Sequence, residues 1–119
     1  MYGGRIGPAR ALDELRPQGL AASIVSHGEL FEGAFGYSDT DARLALIYGL
    51  LSRFETLPLN DPIMEIVGRN RSNLRRTGRR IPDLDLLIGA TAVHHDLILI
   101  TRNVKHFDRI SGIRLYQPN

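Results

Sequence analysis

Three residues stand where their side chains could hold a metal ion or act on a substrate: Glu29, Asp85 and Asn103. Asp85 stands out on physical grounds. Asp83 and Asp85 both follow Pro82, at a helix start, where carboxylates are favoured by the helix dipole. Asp83 fits the cap role. Asp85 is followed by Leu86-Leu87-Ile88-Gly89-Ala90-Thr91-Ala92, a run apolar almost all round. Such a helix is central, and Gly89 and Ala90 permit close packing. A carboxylate entering it is costly unless paired or metal-bound. Glu29 follows the apolar run Leu20–Ser26 by three residues, which predicts a place in the first turn of the next helix. Taken alone, the dipole explains it; Glu32, one turn on, reads as solvated or paired. Thr101-Arg102-Asn103 ends the strand run Leu97–Ile100, with Asn103 as an uncharged oxygen ligand or as the cap of a short helix beyond.

Arginine is the second chemical signal. Fourteen of the fifteen basic residues are Arg, with Lys105 alone. Six of them, Arg69, Arg71, Arg75, Arg76, Arg79 and Arg80, lie within twelve residues that lead to Asp85. On a helix Arg69 and Arg76 share one face and Arg71 and Arg75 another. A helix end favours cations, but six exceed that need. Guanidinium groups match phosphate oxygens, so the cluster favours nucleic-acid contact, with an acidic protein partner as the alternative.

Several chemistries are excluded. There is no Cys, hence no disulfide scaffold, thiolate zinc site, iron–sulfur cluster or Cys nucleophile. His94 and His95 are adjacent and point apart on a helix, so they form no i, i+4 ligand pair. No HExxH, Walker A, GxGxxG or GxSxG pattern occurs, and no Gly-rich phosphate loop follows a strand. No apolar run approaches the ~20 residues of a membrane span, and no apolar segment of a leader follows Met1-Tyr2-Gly3-Gly4-Arg5. The expectation is a cytoplasmic protein.

The elements that must position these residues are short and alternate in type. With 119 residues, the chain is read as a single domain over 1–119, with no repeat or change in composition along it. Pro8–Leu15 reads as a short helix and Leu20–Ser26 as a buried strand. Helix resumes over His27–Phe35, then from a Ser38 cap, with Leu44, Ile47, Tyr48, Leu51 and Phe54 as its apolar face. Thr56–Leu59 reads as a strand. A helix starts at Asn60-Asp61-Pro62, with Ile63, Ile66, Val67 and Leu74 inward, and stops near Thr77-Gly78. Asp83 to about His94 is the central helix, and Leu97–Ile100 is the clearest strand. A turn over Val104–Asp108 and a strand over Ile113–Leu115 close the chain. Strands alternating with helices predict an α/β domain with a parallel sheet, whose sites lie at the strands' carboxyl ends.

The segments GELFEGA (Gly28–Ala34), GRRIPDLDLLIGATAVHHDLILITRNVKHFD (Gly78–Asp108) and ISGIRLYQPN together resemble the PIN-domain ribonucleases of the VapC toxin type. The resemblance covers Ala9 to Asn119. It implies a three-layer α/β/α fold, Mg²⁺ or Mn²⁺ held by an acidic cluster, hydrolytic cleavage of RNA, a VapB-type antitoxin as partner, and a homodimer. Glu29, Asp85 and Asn103 match the family's metal-holding positions. The six clustered Arg, with Arg102, become the candidate RNA-binding residues.

The chain departs from the family at its start. Members open with a central strand ending in a metal-binding Asp, and Met1-Tyr2-Gly3-Gly4-Arg5 resembles the stretch just after that motif. The expectation is that the opening strand and first Asp are missing, either because Met1 is internal to a longer toxin or because a partner chain supplies the strand. A central gap would leave neighbouring strands with unpaired backbone groups. It sets a competing reading: a binding module that docks to an antitoxin or a second chain without cleaving RNA.

Overall fold

The computed structural model describes residues 20–117. The expected helix at Pro8–Leu15 and the question of the opening strand fall outside the described residues.

The first element differs from its expectation. Strand β1 is only Ala21–Ser23, and helix α1 begins at once, over Ile24–Phe35. The reason is local. Ser23 stays extended and its Oγ accepts a hydrogen bond from the Val25 N–H, which caps the helix three residues earlier than the apolar run suggests. Glu29 consequently sits in the second turn of α1, not the first. Helix α2 spans Thr40–Leu51. Asp39, not Ser38, holds its cap position. Its inner face is Leu51 with the half-buried Leu44 and Ile47; Phe54, expected on the same face, is half-buried in the turn after the helix, and Tyr48 is exposed beside the Phe31 ring.

Strand β2 is Glu55–Leu57, and Leu59 lies beyond it, exposed. Helix α3, Asp61–Arg76, starts where Asn60 Oδ1 accepts from the Ile63 N–H. Its buried stripe is Ile63, Val67, Asn70 and Leu74, at helical spacing. Asn70 replaces an apolar residue there. Its amide donates to the Ile66 carbonyl and its Oδ1 accepts from the Ser111 N–H, tying α3 to a turn forty-one residues away. Gly78, at φ 67°, ends α3. The Arg79 N–H reaches the Leu74 carbonyl and the Gly78 N–H that of Arg75, the paired bonds of a Schellman stop.

Helix α4, Asp83–His94, begins where expected and ends at the expected region. Seven of its twelve residues are buried, Asp85 among them. Strand β3 (Ile98–Leu99), the short helix α5 (Val104–Phe107) and β4 (Arg114–Leu115) follow.

The strands form two parallel ladders. Ala22 pairs with Thr56 in one, and Leu99 with Leu115 in the other. No strand among the described residues joins the two. Helices α1 and α4 pack together, as do α3 and α4, so α4 is the element most of the core touches. The core gathers Ile63, Val67, Leu86, Ile88, Leu99, Phe107 and Ile110.

Gly89 is required by contact. A Cβ there would collide with Ile110 Cδ1 and stand 3.3 Å from Phe107 Cδ1. Gly89→Ala gains about 1 kcal/mol of helix propensity but overpacks this seam, at about 1–3 kcal/mol. We expect a net loss of stability. Ile110→Val deletes the colliding atom, so in urea unfolding the double variant should lose at least about 0.5 kcal/mol less than the two single losses summed.

His27 ties α1 to β2, its Nε2 lying 3.3 Å from Thr56 Oγ1. Partial burial holds its imidazole below the ordinary pKa of 6.5. A group with a lowered folded-state pKa stabilises above its unfolded pKa, and that contribution is lost as pH falls through the folded value. Thermal midpoints measured between pH 8 and 5 should therefore fall more steeply for the wild type than for His27→Gln.

Candidate metal and nucleic-acid site

Asp85 is the best-defined member of the site. Its side chain is only 8% exposed, at the mouth of α4. Its Oδ2 lies 2.9 Å from His106 Nδ1, so the imidazole donates to the carboxylate. His106 belongs to α5, one turn after Asn103. Neighbouring contacts explain the meeting. Asp85 and Gly89 share one face of α4, and Gly89 receives Phe107 and Ile110. That packing lays α5 beside Asp85.

Asn103 occupies the cap position of α5, but its side chain makes no capping bond. Its N–H donates to Thr101 Oγ1 at 3.0 Å, which shapes the turn after β3. The capping alternative for Asn103 is therefore not realised. Asp83 likewise makes no capping bond; it pairs with Arg71 on α3 at 3.3 Å.

Glu29 is half-buried on α1, the helix packed against α4. It lines a groove of about 280 Å³ between α1 and α2, with Leu30, Ala34, Tyr37, Arg43 and Leu46. The structure thus brings His106 against Asp85, with Asn103 at the start of the short helix that carries His106 and Glu29 on α1, facing the groove toward α2. Among the described residues no three His, Cys, Asp or Glu side chains form a metal-holding group. The donors are hard oxygens, carboxylate and amide, of the type that suits Mg²⁺ or Mn²⁺.

The arginines are exposed, as a nucleic-acid surface requires: Arg69, Arg71, Arg75, Arg76, Arg79, Arg80 and Arg102 all reach solvent. Arg71, through Asp83, links the cluster to the first turn of α4. Arg109 donates from Nη1 to the Arg79 and Arg80 carbonyls at 3.3 and 3.2 Å, fixing the loop that carries two of the cations.

Two residues were invisible in the spacing. His106 meets Asp85 across twenty-one positions, and Arg109 meets the loop across about thirty. The only sequence signal for His106 is its place three residues after Asn103, one helical turn along.

The parallel α/β frame with a buried carboxylate at the start of its central helix is that of a PIN domain, and the chain belongs to that family: residues 1–113 match it. Within the family its relatives are VapC proteins. It is 33% identical over 107 residues to Ribonuclease VapC1 of Haemophilus influenzae (strain R2866), covering 89% of this chain and 80% of the relative. It is 32% identical over 95 residues to the tRNA(fMet)-specific endonuclease VapC of Shigella flexneri, covering 80% and 72%. Among solved structures, VapBC2 from Rickettsia felis, bound to a DNA fragment from its promoter, superposes with a TM-score of 0.84 at 26% identity, over 93% of this chain and 84% of that one. No helix among the described residues is long and apolar enough to cross a membrane.

Proposed function

We propose that this chain is the toxin component of a type II toxin–antitoxin system, a single PIN-type domain that hydrolyses RNA with Mg²⁺ or Mn²⁺ and is neutralised by a VapB-type antitoxin. The observation that carries the reading is Asp85, a carboxylate buried at the mouth of an apolar helix, its hydrogen bond among the described residues being to the His106 imidazole. Burial of that kind is costly for fold stability alone, which supports a functional role for the group. The relatives are named as ribonucleases and endonucleases, and a structural neighbour is a toxin–antitoxin complex. No observation favours the binding-only alternative.

Asp85, Glu29 and Asn103 would hold the ion. Bound there, a divalent cation would make a coordinated water nucleophilic near neutral pH and offset phosphate charge. The protein's own residues do the rest. Burial of Asp85 keeps one carboxylate fixed in a low-dielectric setting, where its charge acts more strongly than in water. The arginines of α3 and of the 79–80 loop would bind backbone phosphates of the RNA, which brings a polyanion to an otherwise acidic site.

Asp85→Asn should reduce Mn²⁺-dependent RNA cleavage to the level seen in EDTA. The amide oxygen can still accept from His106, so unfolding free energy should change by only about 1 kcal/mol. Full cleavage by this variant would overturn the assignment. Arg75→Ala with Arg76→Ala should weaken RNA binding and flatten the slope of log K against log salt by about 0.7 per lost contact. An unchanged slope in filter binding would remove these two from the RNA surface.

A further inference from the structure

We propose that His106 is a positioning residue for the ion site: it engages one carboxylate oxygen of Asp85 and so favours binding of a cation through the other. The inference rests on the proposed metal-holding role of Asp85 and extends it to the kind of ion the site accepts.

A free carboxylate can grip a cation through both oxygens. Ca²⁺ readily takes such bidentate ligands at roughly 2.3–2.6 Å, whereas Mg²⁺ demands near-octahedral geometry and takes single oxygens. With one lone pair of Oδ2 taken by the His106 N–H at 2.9 Å, two-oxygen binding by Asp85 is disfavoured and one-oxygen binding through Oδ1 is favoured. The site is thereby biased toward small octahedral ions and away from Ca²⁺.

This hydrogen bond is not what docks α5. Phe107 and Ile110 do that, buried against Gly89. His106 itself is 40% exposed on its side chain and contributes little to the core. A half-exposed imidazole aimed at a nearly buried carboxylate has orientation of that carboxylate as its evident effect. In metal sites the partner that orients a ligand is worth roughly 10–100-fold in affinity.

The test is calorimetric titration of the full chain with Mn²⁺ and, separately, Ca²⁺, alongside thermal unfolding. Four proteins are compared: wild type, His106→Ala, His106→Asn and Asp85→Asn. His106→Ala should weaken Mn²⁺ binding about 10–100-fold and narrow the preference for Mn²⁺ over Ca²⁺. His106→Asn, whose amide nitrogen can take the place of Nδ1, should recover most of both, with thermal midpoints close to wild type. If His106→Ala binds both ions as wild type does, the positioning role is wrong. The same holds if His106→Asn is as impaired as His106→Ala, or if loss of affinity only follows loss of fold. Asp85→Asn separates the two levels. If it abolishes Mn²⁺ binding while His106→Ala does not weaken it, only the role of His106 falls. If wild type and Asp85→Asn bind Mn²⁺ alike, or neither binds it, the metal-site reading falls with it.

Discussion

Helix α4 can carry a carboxylate into the interior only because α5 closes on the same face. The missing side chain at Gly89 lets Phe107 and Ile110 come against the helix backbone. One turn earlier on that face is Asp85, and one residue before Phe107 is His106, so the seam that buries hydrocarbon also delivers a hydrogen-bond donor to the carboxylate. Apolar packing and polar satisfaction are therefore one arrangement. The first provides the driving force, and the second offsets the desolvation that the first imposes.

The approach to the site is built on different physics. Helix α3 stops in a Schellman turn at Gly78, and the chain reverses into a short loop before α4. The stop sets six guanidinium groups ahead of a helix whose first turn is acidic. Arg71 and Asp83 neutralise each other there at modest energetic worth, since both are exposed. The other cations face solvent. A negatively charged substrate moving toward Asp85 would be repelled by the carboxylates alone, a repulsion that exposed arginines nearby would offset.

How much the sequence disclosed depended on the range of each interaction. Helix α4 was legible because its apolar run, its Pro82 start and its small residues are all local. The buried stripe of α3 was legible except at Asn70, whose amide is buried because Ser111 meets it from the far end of the chain. The end of β1 was misplaced because Leu20–Ser26 reads equally as buried strand or buried helix, and one side-chain bond from Ser23 decides between them. The expected site residues were named from motif and chemistry. Their mutual placement was not, since His106 reaches Asp85 through tertiary packing that no spacing rule encodes.

The Arg109 clamp has a consequence for how such a surface can change. It grips the 79–80 loop by the carbonyls of Arg79 and Arg80 and makes no use of their side chains. The path of the loop is thus written in Arg109 and Gly78, while the charges it displays are written in the residues it presents. Form and recognition are encoded at separate positions. A lineage of such proteins could exchange the displayed side chains, and with them its preferred nucleic acid, without rebuilding the loop that holds them.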